Sequence, residues 1–196
     1  MSQIINPPAP RLELVIGGAR SGKSRYAEAR AAAAGLRVVY VATAEARDDE
    51  MADRIAHHRA RRPVDWALVE SPLHLASALR EHAAADRFVL VDCLTLWLSN
   101  VLFAGRAAAQ ADAGQPVDCP LFRDERAALL NALAALPGRT ILVSNEVGWG
   151  IVPMGAVSRL FADEQGRLNQ DMAALADRVT LVAAGLPLAL KGGLSR

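Results

Sequence analysis

A phosphate-binding sequence near the start of the chain constrains its fold more than any other feature. Residues 17–24 read G-G-A-R-S-G-K-S, which fits the pattern G-x-x-x-x-G-K-S. A mostly apolar run, residues 12–16, precedes this sequence, and the helix-forming residues 25–30 follow it. A strand, a glycine-rich loop and a helix in this order are the usual context of a polyphosphate-binding loop. The sequence therefore predicts an α/β domain that binds a nucleoside triphosphate.

Individual residues of this loop have defined roles in phosphate binding. Gly17 and Gly22 let the backbone turn its N–H groups toward a polyphosphate. Lys23 can reach the β and γ phosphates, and Ser24 can hold a magnesium ion. A glycine-rich turn without a ligand would leave Lys23 and Ser24 unexplained, so nucleotide binding is the better interpretation.

Composition limits the remaining possibilities. The 196 residues are 52% hydrophobic and 22% charged, which suits one globular domain with its own core. The 22 basic and 21 acidic residues leave a net charge of +1, so nothing favours nucleic acid as a partner, and small substrates are expected. Cys93 and Cys119 form neither a disulfide framework nor a metal-binding spacing, which favours the cytoplasm.

The chain is expected to form one domain, residues 12–196, after a flexible extension at residues 1–11. The extension contains Pro7, Pro8 and Pro10 and has no pattern suited to secretion. The most apolar segment, residues 93–103, is shorter than the roughly 20 residues of a transmembrane helix. We therefore expect no transmembrane segment and interpret residues 94–103 as a buried or subunit-facing helix.

Apolar runs alternate with Ala-, Leu- and Arg-rich stretches, a pattern that predicts a doubly wound, mostly parallel sheet with crossover helices. Residues 105–120 lack periodicity and are expected to form a variable surface insertion. The last strand, after Gly185 and Pro187, is expected to pair antiparallel with its predecessor. The predicted strands are 13–16, 37–42, 66–69, 88–92, 140–144, 179–183 and 188–190. The predicted helices are 22–34, 48–60, 73–83, 94–103, 121–135 and 157–176.

Residues at the carboxyl ends of parallel strands are candidates for the site, because ligands collect at that edge. Asp92 ends the apolar run 88–91, where phosphate-loop proteins place an acid that organises the magnesium shell. Asn145 and Glu146 follow a later strand and either point toward the phosphates or belong to a simple turn. Thr43, after the second strand, leaves the same two possibilities open.

The predicted helix 48–60 carries an unusual group of residues. His57 and His58 lie beside Arg59, Arg61 and Arg62, and Asp53 shares a helix face with His57. A neutral histidine near a triphosphate can attack phosphorus and form a phosphoramidate. Spacing alone favours the simpler interpretation, a solvated basic helix face.

Five motifs together resemble one protein family. They are G-G-A-R-S-G-K-S from Gly17, D-D-E-M-A-D-R-I-A-H-H from Asp48, R-P-V-D-W from Arg62, N-E-V-G-W-G-I-V-P from Asn145 and G-R-L-N-Q from Gly166. Their order and spacing, from about residue 12 to 191, are similar to those of the bifunctional adenosylcobinamide kinase and adenosylcobinamide-phosphate guanylyltransferases of cobalamin biosynthesis.

This resemblance implies a RecA-like phosphate-loop fold, a homotrimer and two successive reactions. ATP or GTP phosphorylates adenosylcobinamide, and GMP then passes from GTP through a histidine to adenosylcobinamide phosphate. The position that matches this histidine is His57, and the matching magnesium positions are Ser24 and Asp92. The positions that match GTP contacts are Gly17, Gly18, Ala19, Arg20, Ser21, Gly22, Lys23, Ser24, Ala42, Thr43, Ala44, His58, Arg59, Ala60, Arg61, Glu70 and Asp92.

Some questions stay open at this point. Some family members have Glu where this chain has Asp92, and the shorter side chain favours contact through water. The corrinoid pocket has no clear sequence signature, although helix 94–103 and the loop after Asn145 are candidates. Two other functions are compatible with the phosphate loop: a kinase of a small hydroxylated substrate without guanylyl transfer, and a nucleotide-dependent switch without turnover.

Overall fold

The fold alternates strands and helices along the chain. The computed structural model describes residues 9–45 and 63–193. Its strands are β1 (Leu12–Gly17), β2 (Arg37–Ala42), β3 (Ala67–Glu70), β4 (Arg87–Asp92), β5 (Arg139–Asn145), β6 (Arg178–Ala183) and β7 (Leu186–Lys191). Its helices are α1 (Lys23–Ala32), α2 (Leu75–His82), α3 (Leu94–Phe103), α4 (Ala107–Asp112), α5 (Pro120–Ala135) and α6 (Ala156–Leu175).

All seven strands form one sheet in the order β3-β2-β4-β5-β1-β6-β7. Among the described strands, each neighbouring pair from β3 to β6 in this order is parallel, and β6 and β7 pair antiparallel. The predicted α/β class, with a mostly parallel sheet and an antiparallel edge strand, is therefore confirmed. Because the parallel strands all point the same way, their carboxyl ends meet at one edge beside the phosphate loop.

Alternate residues of the central strands pack on opposite faces of the sheet. Leu14, Val91 and Leu142 belong to the larger core, which contains residues of α2, α3, α5 and α6. Val15 and Leu90 belong to the smaller core, which includes Ala27 and Ala31 of α1. In α3, the side chains of Leu94, Trp97, Leu98, Val101 and Leu102 are at most 1% exposed, so this helix is buried.

A buried polar cluster ties α1 to the sheet below the phosphate loop. Glu13, in the middle of β1, is only 2% exposed and lies 3.4 Å from Arg30 and 3.8 Å from Arg178. The hydroxyl of Tyr26 donates to Glu13 at 3.4 Å, and burial, then the charge of Glu13, raises the pKa of Tyr26. The sequence pattern did not reveal this carboxylate, because it occurs inside an otherwise apolar run.

The segment 105–120 differs from the sequence-based expectation. It contains the short helix α4, which the sequence did not predict, with Ala107 fully buried and Ala111 8% exposed. Small apolar side chains at a spacing of four residues suffice to seat one helical turn against the core. The predicted helix 48–60 and most of the predicted extension 1–11 lie outside the described residues. In the ranges 9–45 and 63–193, no helix has the length and apolarity needed to cross a bilayer.

Candidate nucleotide-binding and catalytic site

The phosphate loop joins β1 to α1 and packs closely on the β6–β7 turn. A Cβ atom on Gly17 would lie 2.3 Å from the carbonyl oxygen of Val182, so only glycine fits. Gly22 has φ 98° and lies close to Gly185. A Cβ added to Gly22 would lie 3.2 Å from the Cα of Gly185. The amide of Gly185 also donates to the carbonyl of Ser21 at 2.8 Å. An added Cβ on Gly18 meets nothing within 4 Å, so the loop backbone is accessible on that side.

Lys23 and Ser24 begin α1, where the first N–H groups of the helix have no partner within the helix. These groups and the helix dipole favour an anion at this position. Lys23 is only 8% exposed, and its ammonium donates to the carbonyl of Gly18 at 3.0 Å. The positive charge is thereby kept inside the loop rather than extended into solvent.

Three of the predicted positions lie at the same level of the sheet. Ala42 at the end of β2 is paired with Glu70 on one side and with Asp92 on the other. Parallel strands lie about 4.8 Å apart, so Asp92 is two strands and about 10 Å from β1. Glu70 is four strands and about 19 Å from β1. Asp92 therefore lies closer to the phosphate loop than Glu70 does.

Asp92 is oriented by a neighbouring strand. The hydroxyl of Tyr40 in β2 donates to a carboxylate oxygen of Asp92 at 3.0 Å. The pKa of the adjacent Cys93 thiol is raised to about 11, first by burial and then by the charge of Asp92, while Lys23 acts in the opposite direction. Asp92 and Lys23 therefore both lie close enough to the Cys93 thiol to influence it.

Thr43 joins the ends of β2 and β4. Its side chain is fully buried; the hydroxyl accepts from the Cys93 amide at 2.9 Å and donates to the Cys93 carbonyl at 2.7 Å. Asn100 of α3 donates to the carbonyl of Thr43 at 2.8 Å. Thr43 thus holds the backbone beside Asp92, and its side chain is occupied by the protein itself.

We expect Thr43→Val to lower the free energy of unfolding by about 1–3 kcal/mol, because it leaves two buried backbone groups without partners. Urea denaturation measures this change. Thr140→Val is the matched control, since Thr140 is a similarly buried threonine, 4% exposed, that lies in β5 away from the Thr43–Cys93 contact. Equal losses in the two variants would contradict the role assigned to Thr43.

Asn145 and Glu146 are held against the phosphate loop. Asn145 is paired with Gly17, and the amide of Glu146 donates to the carbonyl of Gly17 at 3.1 Å. Asn169 of α6 donates to Glu146 Oε1 at 2.9 Å and to the carbonyl of Asn145 at 3.0 Å. The hydroxyl of Thr95 accepts from the Asn145 amide at 2.9 Å.

The sequence did not assign a role to Asn169, Gln165 or Ser144. Gln165 donates to both Ser144 and Asn169 at 3.0 Å, and the hydroxyl of Ser144 donates to Asn169 at 2.7 Å. These three side chains are at most 6% exposed. The signal available in the sequence was a pair of amide side chains, Gln165 and Asn169, four residues apart on the apolar face of a helix. Such a pair indicates a polar network, because a buried amide requires hydrogen-bond partners.

The structure describes only some of the predicted positions. Ala19 and Arg20 lie in the phosphate loop, where Arg20 has φ 57°, and Ala44 follows Thr43 beside the strand ends. In the described part of the chain, no cluster of His, Cys, Asp and Glu could hold a metal by itself. Five predicted positions lie outside the described residues: His57, His58, Arg59, Ala60 and Arg61.

The chain is similar over most of its length to known proteins. It is 54% identical over 180 residues to the bifunctional adenosylcobalamin biosynthesis protein CobP of Pseudomonas aeruginosa, which covers 92% of this chain and 97% of that protein. It is 42% identical over 181 residues to the bifunctional adenosylcobalamin biosynthesis protein CobU of Salmonella typhimurium, which covers 91% and 98%.

Solved structures support the fold alone. The ATPase EscN of the enteropathogenic E. coli type III secretion system superposes with a TM-score of 0.53 at 11% identity over 89% of this chain and 43% of the ATPase. A second type III secretion ATPase gives a TM-score of 0.53 at 12% identity over 91% of this chain and 56% of that chain.

The matching family model, described as cobinamide kinase / cobinamide phosphate guanyltransferase, spans residues 13–190. The chain therefore belongs to this cobinamide kinase and cobinamide phosphate guanyltransferase family.

Proposed function

We propose that this protein phosphorylates adenosylcobinamide from ATP or GTP and then converts adenosylcobinamide phosphate to adenosylcobinamide-GDP through a guanylylated His57. The observation that carries the proposal is the phosphate loop with Lys23 held inside it, in a chain that matches the family over residues 13–190. Both reactions break a bond within a triphosphate, so one loop that binds the β and γ phosphates serves both.

In the kinase reaction, the side-chain hydroxyl of the corrinoid attacks the γ phosphorus. The bond from that phosphorus to the β–γ bridging oxygen breaks, a nucleoside diphosphate leaves, and the hydroxyl proton is released. Lys23 and the N–H groups at the start of α1 stabilise the negative charge on the transferred group and on the leaving diphosphate. Glu146, held by Asn169 next to Gly17, is a candidate acceptor for the proton.

In guanylyl transfer, an imidazole nitrogen of His57 attacks the α phosphorus of GTP. The α–β bridging bond breaks, pyrophosphate leaves, and a nitrogen–phosphorus bond holds GMP on the enzyme. A phosphate oxygen of adenosylcobinamide phosphate then attacks the same phosphorus, and His57 leaves as the nitrogen–phosphorus bond breaks. Pyrophosphate carries the β and γ groups, so Lys23 stabilises the leaving group here.

Ser24 at the start of α1 and Asp92 at the end of β4 suit a magnesium ion. Ser24 would hold it directly, and Asp92, about 10 Å from β1 and oriented by Tyr40, would contact it through water. Magnesium supplies positive charge that neutralises the phosphate oxygens during transfer. The Ser24 hydroxyl and the Asp92 carboxylate would coordinate through oxygen, which is the ligand atom that this ion prefers.

Glu70 suits the nucleoside end of GTP. Its position about 19 Å from β1 places it beyond the reach of phosphates bound in the loop. A carboxylate accepts hydrogen bonds from the ring N–H and amino group of guanine, and adenine presents no equivalent pair of donors there. We further propose that the protein acts as a homotrimer in the cytoplasm, as the sequence resemblance implies.

Covalent labelling tests the proposal. Incubated with magnesium and GTP labelled at the α phosphate, the wild-type protein should become labelled, because the GMP stays on the histidine. GTP labelled at the γ phosphate should leave the protein unlabelled and release labelled pyrophosphate. The bond should be lost in acid and withstand alkali, as a phosphoramidate does. Bound GTP that leaves no α label on the enzyme would favour a kinase without guanylyl transfer.

A further inference from the structure

A cavity of about 360 Å³ lies between α3, α6 and the loop that follows β5. Phe103 and Phe161 stack in its wall with ring centroids 6.2 Å apart, and Val147 and Pro153 line the loop side. Serine hydroxyls add polar groups to an otherwise apolar lining. None of the described residues that line the cavity carries a charge. The cavity therefore suits an uncharged part of a ligand that has apolar and hydrogen-bonding groups, and not the phosphates of a second nucleotide.

The cavity adjoins the phosphate loop. Val147 directly follows Glu146, whose amide donates to the carbonyl of Gly17. On the opposite side, Ser99 lies one helical turn after Thr95, which is bonded to the amide of Asn145. One turn of helix is about 5.4 Å, so a ligand in the cavity is close to the end of β1. Its reactive group can extend from there toward a bound triphosphate.

The loop beside the cavity presents apolar side chains to solvent. Trp149 is 69% exposed, Ile151 97%, Val152 72% and Met154 97%. Val147 and Pro153 of the same loop line the cavity, so the exposed patch and the cavity form one continuous surface. An apolar patch of this kind at a cleft is typical of a binding site.

We propose that this cavity and the adjoining loop bind the corrinoid acceptor, an inference that rests on the proposed function. The rim of a cobinamide carries many methyl and amide groups, all uncharged, which match the apolar walls and the hydroxyls of Ser99 and Ser158. The cavity receives one edge of the corrinoid, and Trp149 and its neighbours cover the part that remains outside. The side-chain hydroxyl is then directed to the phosphate loop.

The proposal is tested by a substitution that fills the cavity. Ala162→Phe places a large side chain in the lining, and Ala174→Phe is the matched control because Ala174 is exposed on the same helix and does not line the cavity. Equilibrium dialysis with adenosylcobinamide, followed by its visible absorbance, measures corrinoid binding. We expect binding at least about tenfold weaker for Ala162→Phe, with a matching rise in KM for the corrinoid, and wild-type values for the control.

A second variant covers the case in which Ala162→Phe does not fold. Ser158→Phe introduces the same side chain at an exposed position of the lining, where packing is less constrained, and should weaken corrinoid binding in the same way. Thermal unfolding checks both variants. Unchanged corrinoid binding in a folded variant would overturn the proposal. A change in oligomeric mass with unchanged corrinoid binding would also overturn it, because a second copy of the chain would then occupy the surface.

Failure of this inference is distinguishable from failure of the proposed function. Covalent labelling from α-labelled GTP requires no corrinoid, so it reports on the nucleotide chemistry alone. A wild-type protein that is not labelled counts against the proposed function. A labelled wild-type protein whose cavity variants bind adenosylcobinamide normally counts against the assignment of the cavity.

Discussion

Lys23→Ala is expected to abolish both the kinase and the guanylyl-transfer activity in a protein that still folds. The ammonium of Lys23 is held inside the phosphate loop, 3.0 Å from the carbonyl of Gly18, and is 8% exposed. In the proposed function the β and γ phosphates bind beside this ammonium, which would stabilise developing charge in both reactions. Such a contact is worth about 3 kcal/mol or more, which corresponds to at least a roughly hundredfold loss in rate.

Steady-state turnover in both assays measures this effect, and thermal unfolding reports on the fold. Lys191→Ala is the matched control, because Lys191 is exposed and is paired with Val179 near the start of β6, at the edge of the sheet opposite the phosphate loop. The control should retain both activities. If Lys23→Ala retained a near-normal rate in either assay, the two reactions would not share the loop.

His57→Ala is expected to eliminate guanylyl transfer while phosphorylation of adenosylcobinamide continues. Only the nucleotidyl reaction requires a nitrogen nucleophile on the enzyme, and alanine provides none. The kinase reaction uses the hydroxyl of the corrinoid as its nucleophile and the phosphate loop for stabilisation. Label from α-labelled GTP should therefore disappear from this variant, and the product of its turnover should be adenosylcobinamide phosphate.

His58→Ala is the control for the histidine pair. In the helix that the sequence predicts over residues 48–60, adjacent side chains would point about 100° apart, so we expect only one of the two imidazoles to reach the α phosphorus. His58→Ala should still acquire the GMP label. Loss of the label in His58→Ala and its retention in His57→Ala would assign the nucleophile to the second histidine of the pair.

Much of the fold and part of the site could be predicted from the sequence. The apolar runs that became β1, β2, β4 and β5 are bounded by polar or turn residues, so their existence and type follow from local patterning. Gly17, Gly22, Lys23 and Ser24 were identified by their spacing, because a phosphate loop is a continuous segment whose chemistry is local. Asp92 was found because it directly ends an apolar strand.

Other parts of the site required the tertiary structure. Asn169 contacts Glu146 across 23 residues, and Thr43 contacts Cys93 across 50 residues. Neither contact leaves a periodic pattern in the sequence, since each depends on how separate elements pack. Helix α4 was missed for the same reason: its alanines carry little pattern of their own, and burial against the core stabilises the turn.

The sequence by itself determined that this chain forms a phosphate loop between a strand and a helix, because eight adjacent residues specify that structure. Only the tertiary structure decided that β5 lies between β1 and β4, and that Glu146 consequently adjoins Gly17. Strand order depends on which apolar faces pack together over long separations along the chain. The same packing of α3, α6 and the loop after β5 formed the cavity next to the phosphate loop.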